Sequence, residues 1–436
     1  LKIAIDGFAL GLRQGTGLST YSRELANTLT RYGHQVEIIY GLGGIGRKES
    51  LLRARLLQAL ATRGEPEAAD WRAWMPRLPL YVIAHVLGRP LRARSIPETR
   101  TNAVTLLPDG CPVFTGTHNI ASLYRSAQAM AGIFGTSLRI RALPEVEIFH
   151  LSSPLPVRMD NVANVVTAHD AIPLVLPEST SVNLLHYQRI MRASLRHADG
   201  IFAVSEQSKR DLITLLDLPE ERLHVTYQSV SIPEEIRQIE AETLSRFLKA
   251  NFGLEPGGYF LFHGAIEPKK NVMRLIDAYL MARSDLPLVF AGKAGWLCRD
   301  ELHRLDLLCE NDAREGRIRR FEYLPYWQVM YLVKGARAMI FPSLYEGFGL
   351  PVLEAMQMGT PVITSNNSSL KEIAADAAYL VDPRDTGEIA HAIDALAEDD
   401  DMHASLRAKG TARAEFFSPR RHLERVEAGY RRILGA

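Results

Sequence analysis

Short apolar runs alternate with helix-period segments along this chain, and the alternation occurs twice. The first series of expected strands is "KIAI", "VEIIY", "VEIFH", "NVVTAH", "GIFAVS" and "LHVTY". The second is "GYFLFH", "LPLVFAG", "IRRFEY", "ARAMIF", "TPVITS" and "AAYLVD". Near-continuous apolar strands separated by helices read as parallel sheets buried on both faces. Two series predict an α/β chain of two doubly wound domains, residues 1–232 and 233–415, joined near Pro233.

Several helices can be placed directly. One is expected to run from Glu234 to Ala250 and lead into the second domain. After Asn271, Val272, Leu275, Ile276 and Tyr279 fall at i, i+3, i+4 and i+7, one helical face. Ser418-Pro419 reads as an N-cap and first-turn proline, followed by a stripe of Leu423, Val426, Tyr430, Ile433 and Leu434. This closing segment, 416–436, follows the last strand of the second domain and is predicted to pack back onto the first.

Residues 44–110 break the alternation. Between Arg47 and Arg94 there are ten Lys or Arg against four Asp or Glu, with Trp71, Trp74 and Tyr81 among them. Such a basic, amphipathic insert either covers the sheet as a solvated helical layer or lies on an anionic membrane surface. The longest apolar run, "LPLYVIAHVLG" from Leu78 to Gly88, is about half of the ~20 residues a bilayer span needs.

Composition narrows the class. With 436 residues there is chain for two large cores. A net charge of +1 argues against a nucleic-acid binder held by overall charge. Cys111, Cys298 and Cys309 are widely spaced, which suits inert buried thiols in a reducing compartment rather than a disulfide framework or zinc site. The chain opens on "LKIAID", already a strand, so no signal peptide is expected. The expected location is cytoplasmic, with peripheral membrane contact left open by the insert.

Ligands of open parallel sheets bind beyond the carboxyl ends of the strands, where loops enter helix N-termini. The loop "GFALGLRQGTGLSTYSREL" follows the first strand, with Gly15-Thr16-Gly17 entering a helix capped by Ser19 or Thr20. Small residues there let a ligand approach the backbone and the helix end. The pattern is not G-x-G-x-x-G, and no acidic residue ends the second strand, which argues against a nicotinamide dehydrogenase. In "GYFLFHGAIEPKKN", Lys269 and Lys270 stand before Asn271, the expected N-cap, so two cations join a helix's positive end. That combination suits a diphosphate. In "YEGFGLPVLE", Gly347 and Gly349 offer a second anion cradle between Glu346 and Glu354, the latter expected in the first turn of a helix. Carboxylates accept paired hydrogen bonds from sugar hydroxyls. Hexose, diphosphate and ribose are the layout of a nucleotide sugar. His150, closing "VEIFH", ends a strand near the expected cleft and is a candidate acceptor contact.

"PSLYEGFGLPVLEAMQMGTPVITS" resembles the signature of family-4 retaining glycosyltransferases of GT-B fold, two Rossmann-like domains facing across a cleft. "GAIEPKKN", "VVTAHDAIPL", "GTGLSTYSREL", "VSEQSKRDL" and "FSPRRHLERVEAGYRRIL" are similar to further segments of that family. The likeness covers most of the chain outside the insert. It implies that Glu346 contacts donor-sugar hydroxyls and Glu354 the donor ribose. Gly347, Phe348, Gly349 and Leu350 would present backbone groups to sugar and diphosphate. Lys270, with Lys269, would bind the diphosphate, His169 would face the transferred sugar, and Gly17 would let the diphosphate approach. His169, Glu346 and Lys270 form the implied catalytic set. Lys269 stands where arginine is common, and Gly264 where some members carry a phosphate-binding arginine, so the clamp is expected to lean on Lys270.

The resemblance further implies transfer of a hexose, with mannose from GDP-mannose the best match to bacterial mannosyltransferases of surface polysaccharide assembly. The acceptor would be a carbohydrate or lipid-linked glycan. No cofactor and no metal are expected: "EDDDM" at Glu398–Met402 contains Asp-x-Asp but follows a C-terminal helix and reads as a solvated turn. A UDP-sugar donor, or a non-catalytic sugar-nucleotide or glycan-binding protein, are the alternatives.

Overall fold

A computed structural model describes residues 1–11, 17–42, 75–96, 114–311 and 317–435. Every strand expected from an apolar run is present. In the first part these are β1 (Lys2–Asp6), β2 (Gln35–Tyr40), β6 (Ile148–Leu151), β8 (Ala163–Ala168), β9 (Gly200–Ala203) and β10 (Leu223–Val225). Four more were not expected: β3 (Arg94–Ser95), β4 (Gly116–Asn119), β5 (Leu138–Ile140) and β7 (Val157–Met159). The first sheet runs β10-β9-β8-β6-β1-β2-β4-β3, parallel except for β3 at the edge, and β5 pairs with β7 apart from it.

The second sheet holds β11 (Phe260–His263), β12 (Leu288–Ala291), β13 (Ile318–Phe321), β14 (Ala338–Phe341), β15 (Val362–Ser365) and β16 (Tyr379–Val381). Its order is β13-β12-β11-β14-β15-β16, all parallel. The order reverses between β11 and β14, and the crevice at such a reversal is where an open α/β sheet binds ligands. Each sheet is covered on both faces, which is why its central strands are apolar without alternation.

Helices depart from expectation at three places. The segment expected as one helix from Glu234 is two, Glu234–Arg237 and Ala241–Phe252, because Glu240 turns extended (ψ 141°) and starts the second. The described part of the helix after β1 is Gly17–Arg31, so Ser19 lies inside it and donates to the Ala9 carbonyl at 2.9 Å; Gly15 and Thr16 lie outside the described residues. "EDDDM" is a junction between two helices, where Asp399 accepts the Met402 N–H at 2.7 Å. Of the basic insert, residues 75–96 are described; Trp71, Trp74 and Cys111 lie outside.

The closing helix Pro419–Leu434 buries Leu423, Val426 and Tyr430 in the same core as β1 and the helix Gly17–Arg31. The chain thus passes between the two sheets twice, and the two passages touch. Tyr227 on the outward one lies 5.6 Å from Phe416 and 5.4 Å from Phe417 on the return, with the Arg425 guanidinium over Tyr227 and Phe416.

His150 falls in this core, which corrects its reading as an acceptor contact. It has no exposed surface, its ring nitrogens bond Tyr430 Oη at 2.5 Å and Thr167 Oγ1 at 2.7 Å, and Phe202 packs edge-on. His150 lies within β6, paired with Val165 of β8, and the closing helix covers it. Burial pushes the His150 imidazole down to about 3 and that of His422, which bonds the Thr226 carbonyl, down to about 4. The unfolded chain takes up these protons near pH 6.5, the folded one only below pH 4 to 3, so acid favours unfolding between those limits. Unfolding free energy is expected to fall as pH drops from 7 to 5, by up to ~1.4 kcal/mol per unit for each residue. Denaturant titrations across that range should show His150→Gln with a flatter profile; identical slopes would contradict neutral burial.

Candidate active site

The two loops flanking the reversal between β11 and β14 carry the charged residues singled out in the sequence. After β11, Gly264 adopts φ +137°, a conformation that strains any side-chain-bearing residue, so an arginine does not fit this backbone. The chain then makes a 3-10 turn, Pro268–Lys270. Asn271 occupies the N-cap position but does not cap: its side-chain amide donates to the carbonyls of Pro342 (3.0 Å) and Pro383 (2.6 Å). The residue expected to start a helix therefore ties the first loop to the second.

That tie brings the lysines to Glu346. Lys270 Nζ is 2.5 Å from Glu346 Oε1 and Lys269 Nζ is 3.4 Å from Oε2, with all three side chains largely buried. Burial alone would raise the Glu346 carboxyl, but the two ammonium groups outweigh it and hold it down to about 2. Burial draws Lys270 below the usual lysine range even though Glu346 pulls it upward. Its ammonium also lies 4.5 Å from the centre of the Phe341 ring, at the end of β14.

The second loop, Pro342 to Gly349, turns into the helix Leu350–Gln357 through Gly349 at φ +105°. Glu354 stands in the second turn of that helix, not the first, so the helix dipole does not account for it. Its carboxylate is buried, accepts the Tyr326 hydroxyl at 3.1 Å and lies 3.2 Å from His263 Nε2. Phe348 is buried against Phe417, and Ser369 Oγ donates to the carbonyls of Glu346 and Phe348. Gly347 presses against the first domain: its carbonyl accepts Ser205 Oγ at 2.7 Å and Ser208 Oγ at 3.0 Å. A Cβ at this position would stand 2.6 Å from the His169 carbonyl oxygen.

On the facing side, His169 follows β8. Its Nε2–H donates to the Ser152 carbonyl at 2.8 Å and its Nδ1 accepts the Gln228 amide at 2.9 Å, while the Tyr21 ring packs edge-on at 4.8 Å. Burial lowers its affinity for a proton, and both nitrogens are engaged, so the ring is held neutral and fixed in orientation. Gly17 opens its helix next to Leu350, whose Cδ1 would be 3.8 Å from a Cβ on Gly17. The helix from Gly17 and the helix Leu350–Gln357, one from each domain, thus meet near their N-terminal ends. Positive helix ends and two ammonium groups suit an anion, and carboxylates can accept hydrogen bonds from sugar hydroxyls.

The structure brings together Gly17, His169, Gly264, Lys269, Lys270, Glu346, Gly347, Phe348, Gly349, Leu350 and Glu354, and leaves out His150. Sequence reasoning missed the groups around these: the Gln228 side chain and the Ser152 carbonyl on His169, the Tyr326 hydroxyl on Glu354 with His263 beside it, and the Ser205 and Ser208 hydroxyls on Gly347. "VSEQSKRDL" contained the two serines as an N-cap pattern, whereas nothing in the sequence pointed to Gln228. Among the described residues, no three His, Cys, Asp or Glu side chains gather as a metal site, and no helix is long and apolar enough to cross a membrane.

Comparison with known proteins identifies the family. Residues 15–232, half of the chain, match the model described as Glycosyltransferase Family 4, and residues 246–413 match Glycosyl transferases group 1. The O-antigen chain mannosyltransferase B of Escherichia coli is 36% identical over 270 residues, covering 61% of this chain and 68% of that protein. The serotype-specific mannosyltransferase WbdA of Escherichia coli is 29% identical over 294 residues, which span 65% of this chain but only 35% of WbdA. Among solved structures, Anabaena Alr3699/HepE in complex with UDP and glucose superposes with a TM-score of 0.63 over 98% of both chains, at 15% identity. WaaG, a glycosyltransferase involved in lipopolysaccharide biosynthesis, gives 0.60 over 100% of both chains at 14% identity. At those identities the structures speak to the fold, which is GT-B. Two matched family models, one per sheet, place the chain in glycosyltransferase family 4, as a glycosyltransferase of GT-B fold.

Proposed function

We propose that this glycosyltransferase moves mannose from GDP-mannose to a carbohydrate or lipid-linked glycan, with retention of anomeric configuration and without a metal ion. The observation that carries the reading is the Lys269–Lys270–Glu346 cluster at the sheet reversal, opposite the His169 face. The lysines would take the donor diphosphate and release Glu346 to the hydroxyls of the sugar; Glu354 would take the ribose. Mannose is favoured by the names of the relatives, including one that is 36% identical.

Retention follows if the acceptor hydroxyl attacks from the face the diphosphate leaves and hands its proton to the departing phosphate oxygen. That route asks for no protein nucleophile, and His169, with both nitrogens bonded, is placed to orient rather than to take the proton. Charge on the leaving group would be met by two ammonium groups and the helix ends.

Turnover of GDP-mannose, UDP-glucose and other labelled donors, with and without chelator, tests the reading. GDP-mannose is expected to be consumed fastest, by at least about tenfold over the UDP-sugars. Chelator is expected to leave the rate unchanged, and proton NMR of the product to show the donor's anomeric configuration. Preference for a UDP-sugar would move the donor assignment, and loss of turnover in chelator would overturn the lysine-based mechanism.

A further inference from the structure

The helix Leu78–Val86 has the sequence "LPLYVIAHV", without one charged residue other than the titratable His85. Leu78, Tyr81 and Val82 pack toward the first domain's core. The opposite side is also apolar: Leu80 is 64% exposed, Ile83 54%, Val86 76%, and Leu87, just past the end, 59%. Around a 3.6-residue turn, these four occupy one continuous arc facing away from the protein. A helix that is apolar all round belongs either inside a core or in lipid. At nine residues, about 14 Å, it is too short to cross a bilayer. It can lie in the interface.

Charge on the same segment selects the kind of interface. Residues 75–96 contain Arg77, Arg89, Arg92 and Arg94 and no Asp or Glu, and the last three arginines are exposed. The neighbouring carboxylate of Asp160 is already paired with Arg139 at 2.8 Å. Exposed apolar side chains bordered by arginine are how a peripheral protein seats on anionic lipid, the chains entering the acyl boundary while the guanidinium groups meet headgroup phosphates. A water-soluble protein partner would be met by the apolar arc alone; the exposed arginines beside it are what commit the surface to lipid.

The position of the helix gives this surface a use. The Tyr81 hydroxyl donates to the Ala121 carbonyl and Arg77 reaches Ser122 at 3.5 Å, immediately beyond the carboxyl end of β4. The helix is therefore anchored at the cleft edge of the first sheet, on the side away from the donor loops. We propose that the Leu80–Leu87 face docks this enzyme on an anionic membrane surface, so that a lipid-linked acceptor is presented at the first domain's side of the cleft. The acceptor part rests on the transferase reading; the docking part does not, and is measured without donor or acceptor.

The full chain is sedimented with vesicles of pure phosphatidylcholine and with vesicles containing phosphatidylglycerol, at low and high salt. Binding is expected to anionic vesicles only and to weaken as salt rises. Leu80→Ser/Ile83→Ser/Val86→Ser, all at exposed positions, should reduce it at least about tenfold. Arg89→Ser/Arg92→Ser should reduce it by roughly fivefold for each charge and flatten its salt dependence. Neither variant touches the donor site, so turnover on a water-soluble acceptor analogue should match the parent protein and certify folding. Equal binding by the triple variant, equal binding to neutral vesicles, or no binding by the parent chain would each overturn the proposal. So would a parent chain that self-associates through this face and ignores vesicles.

Discussion

Lys270→Ala is expected to lower kcat/KM for the donor by roughly 30-fold to several thousand-fold, the equivalent of removing ~2–5 kcal/mol from a desolvated charge contact. The Lys270 ammonium is largely buried, 2.5 Å from Glu346 and 4.5 Å from the centre of the Phe341 ring, and the other cation on Glu346, Lys269, stands at 3.4 Å. Its removal acts twice. The diphosphate loses a cation, and Glu346 is left buried with Lys269 alone at 3.4 Å. A melting temperature measured in parallel separates these effects, because loss of Glu346 pairing lowers stability while loss of diphosphate binding does not. Lys269→Ala should cost less, as its contact is longer. A decrease below about threefold for Lys270→Ala, in a folded protein, would remove the lysine from the mechanism. Glu354→Ala should instead raise donor KM with little change in kcat, since a ribose contact alters little as the sugar departs.

Gly347→Ala tests the join between the domains and is expected to cost about a hundredfold in kcat/KM, the scale of a 1 Å misplacement of reacting groups. The added methyl would stand 2.6 Å from the His169 carbonyl oxygen and 2.8 Å from Asp170 Cβ. The oxygen belongs to backbone at the end of β8 and cannot rotate away. Relief requires the second loop to withdraw from the first domain, which also lengthens the bonds from Ser205 and Ser208. Small-angle scattering should show a larger radius for the variant, and exchange at the loop should quicken. Activity within about threefold of the parent, at unchanged radius, would mean that the close contact is not needed for transfer.

How much of this could be read from the chain varies by element. The strands that form the middle of each sheet are covered on both faces, so "KIAI" or "FLFH" must be apolar throughout and are visible. "GTHN" is not: β4 sits near the sheet edge beside a two-residue β3, where a strand needs neither length nor an apolar face. The site's charged residues were legible because loop position and spacing set them apart from solvated lysines and glutamates. Their pairing was not. Glu346 was read as a sugar contact and Lys270 as a phosphate contact, and no sequence pattern says that they hold each other. In the sequence His150 and His169 both read as strand-end residues; β6 in fact continues to Leu151, and the closing helix, distant by 280 positions for Tyr430, covers His150, whereas His169 follows β8 and meets Gly347 of the second loop.

The touching passages at Tyr227, Phe416 and Phe417 give the protein the mechanics of a jaw with a single pivot. Two tethers that met the domains at separate points would resist bending about every axis but the line between them. Two that meet at one aromatic knot resist sliding there, and rotation about it must break the bonds from Glu372 to the Glu206 and Gln207 N–H groups and from Tyr345 to Asp211. Phe348, at the head of the donor loop, packs on Phe417 at the knot itself, 5.6 Å away, so this loop sits where the lever arm is shortest. The Trp296 indole, bonded to the Ser179 carbonyl at 2.8 Å, joins the two sides by way of the loop after β12, two strands from β14 in the sheet. Opening would break that latch first and leave the loop at Gly347 nearly in place. On the proposed donor site, substrate would then enter past Trp296, while the lysine pair and Glu346, all on the second domain, move together.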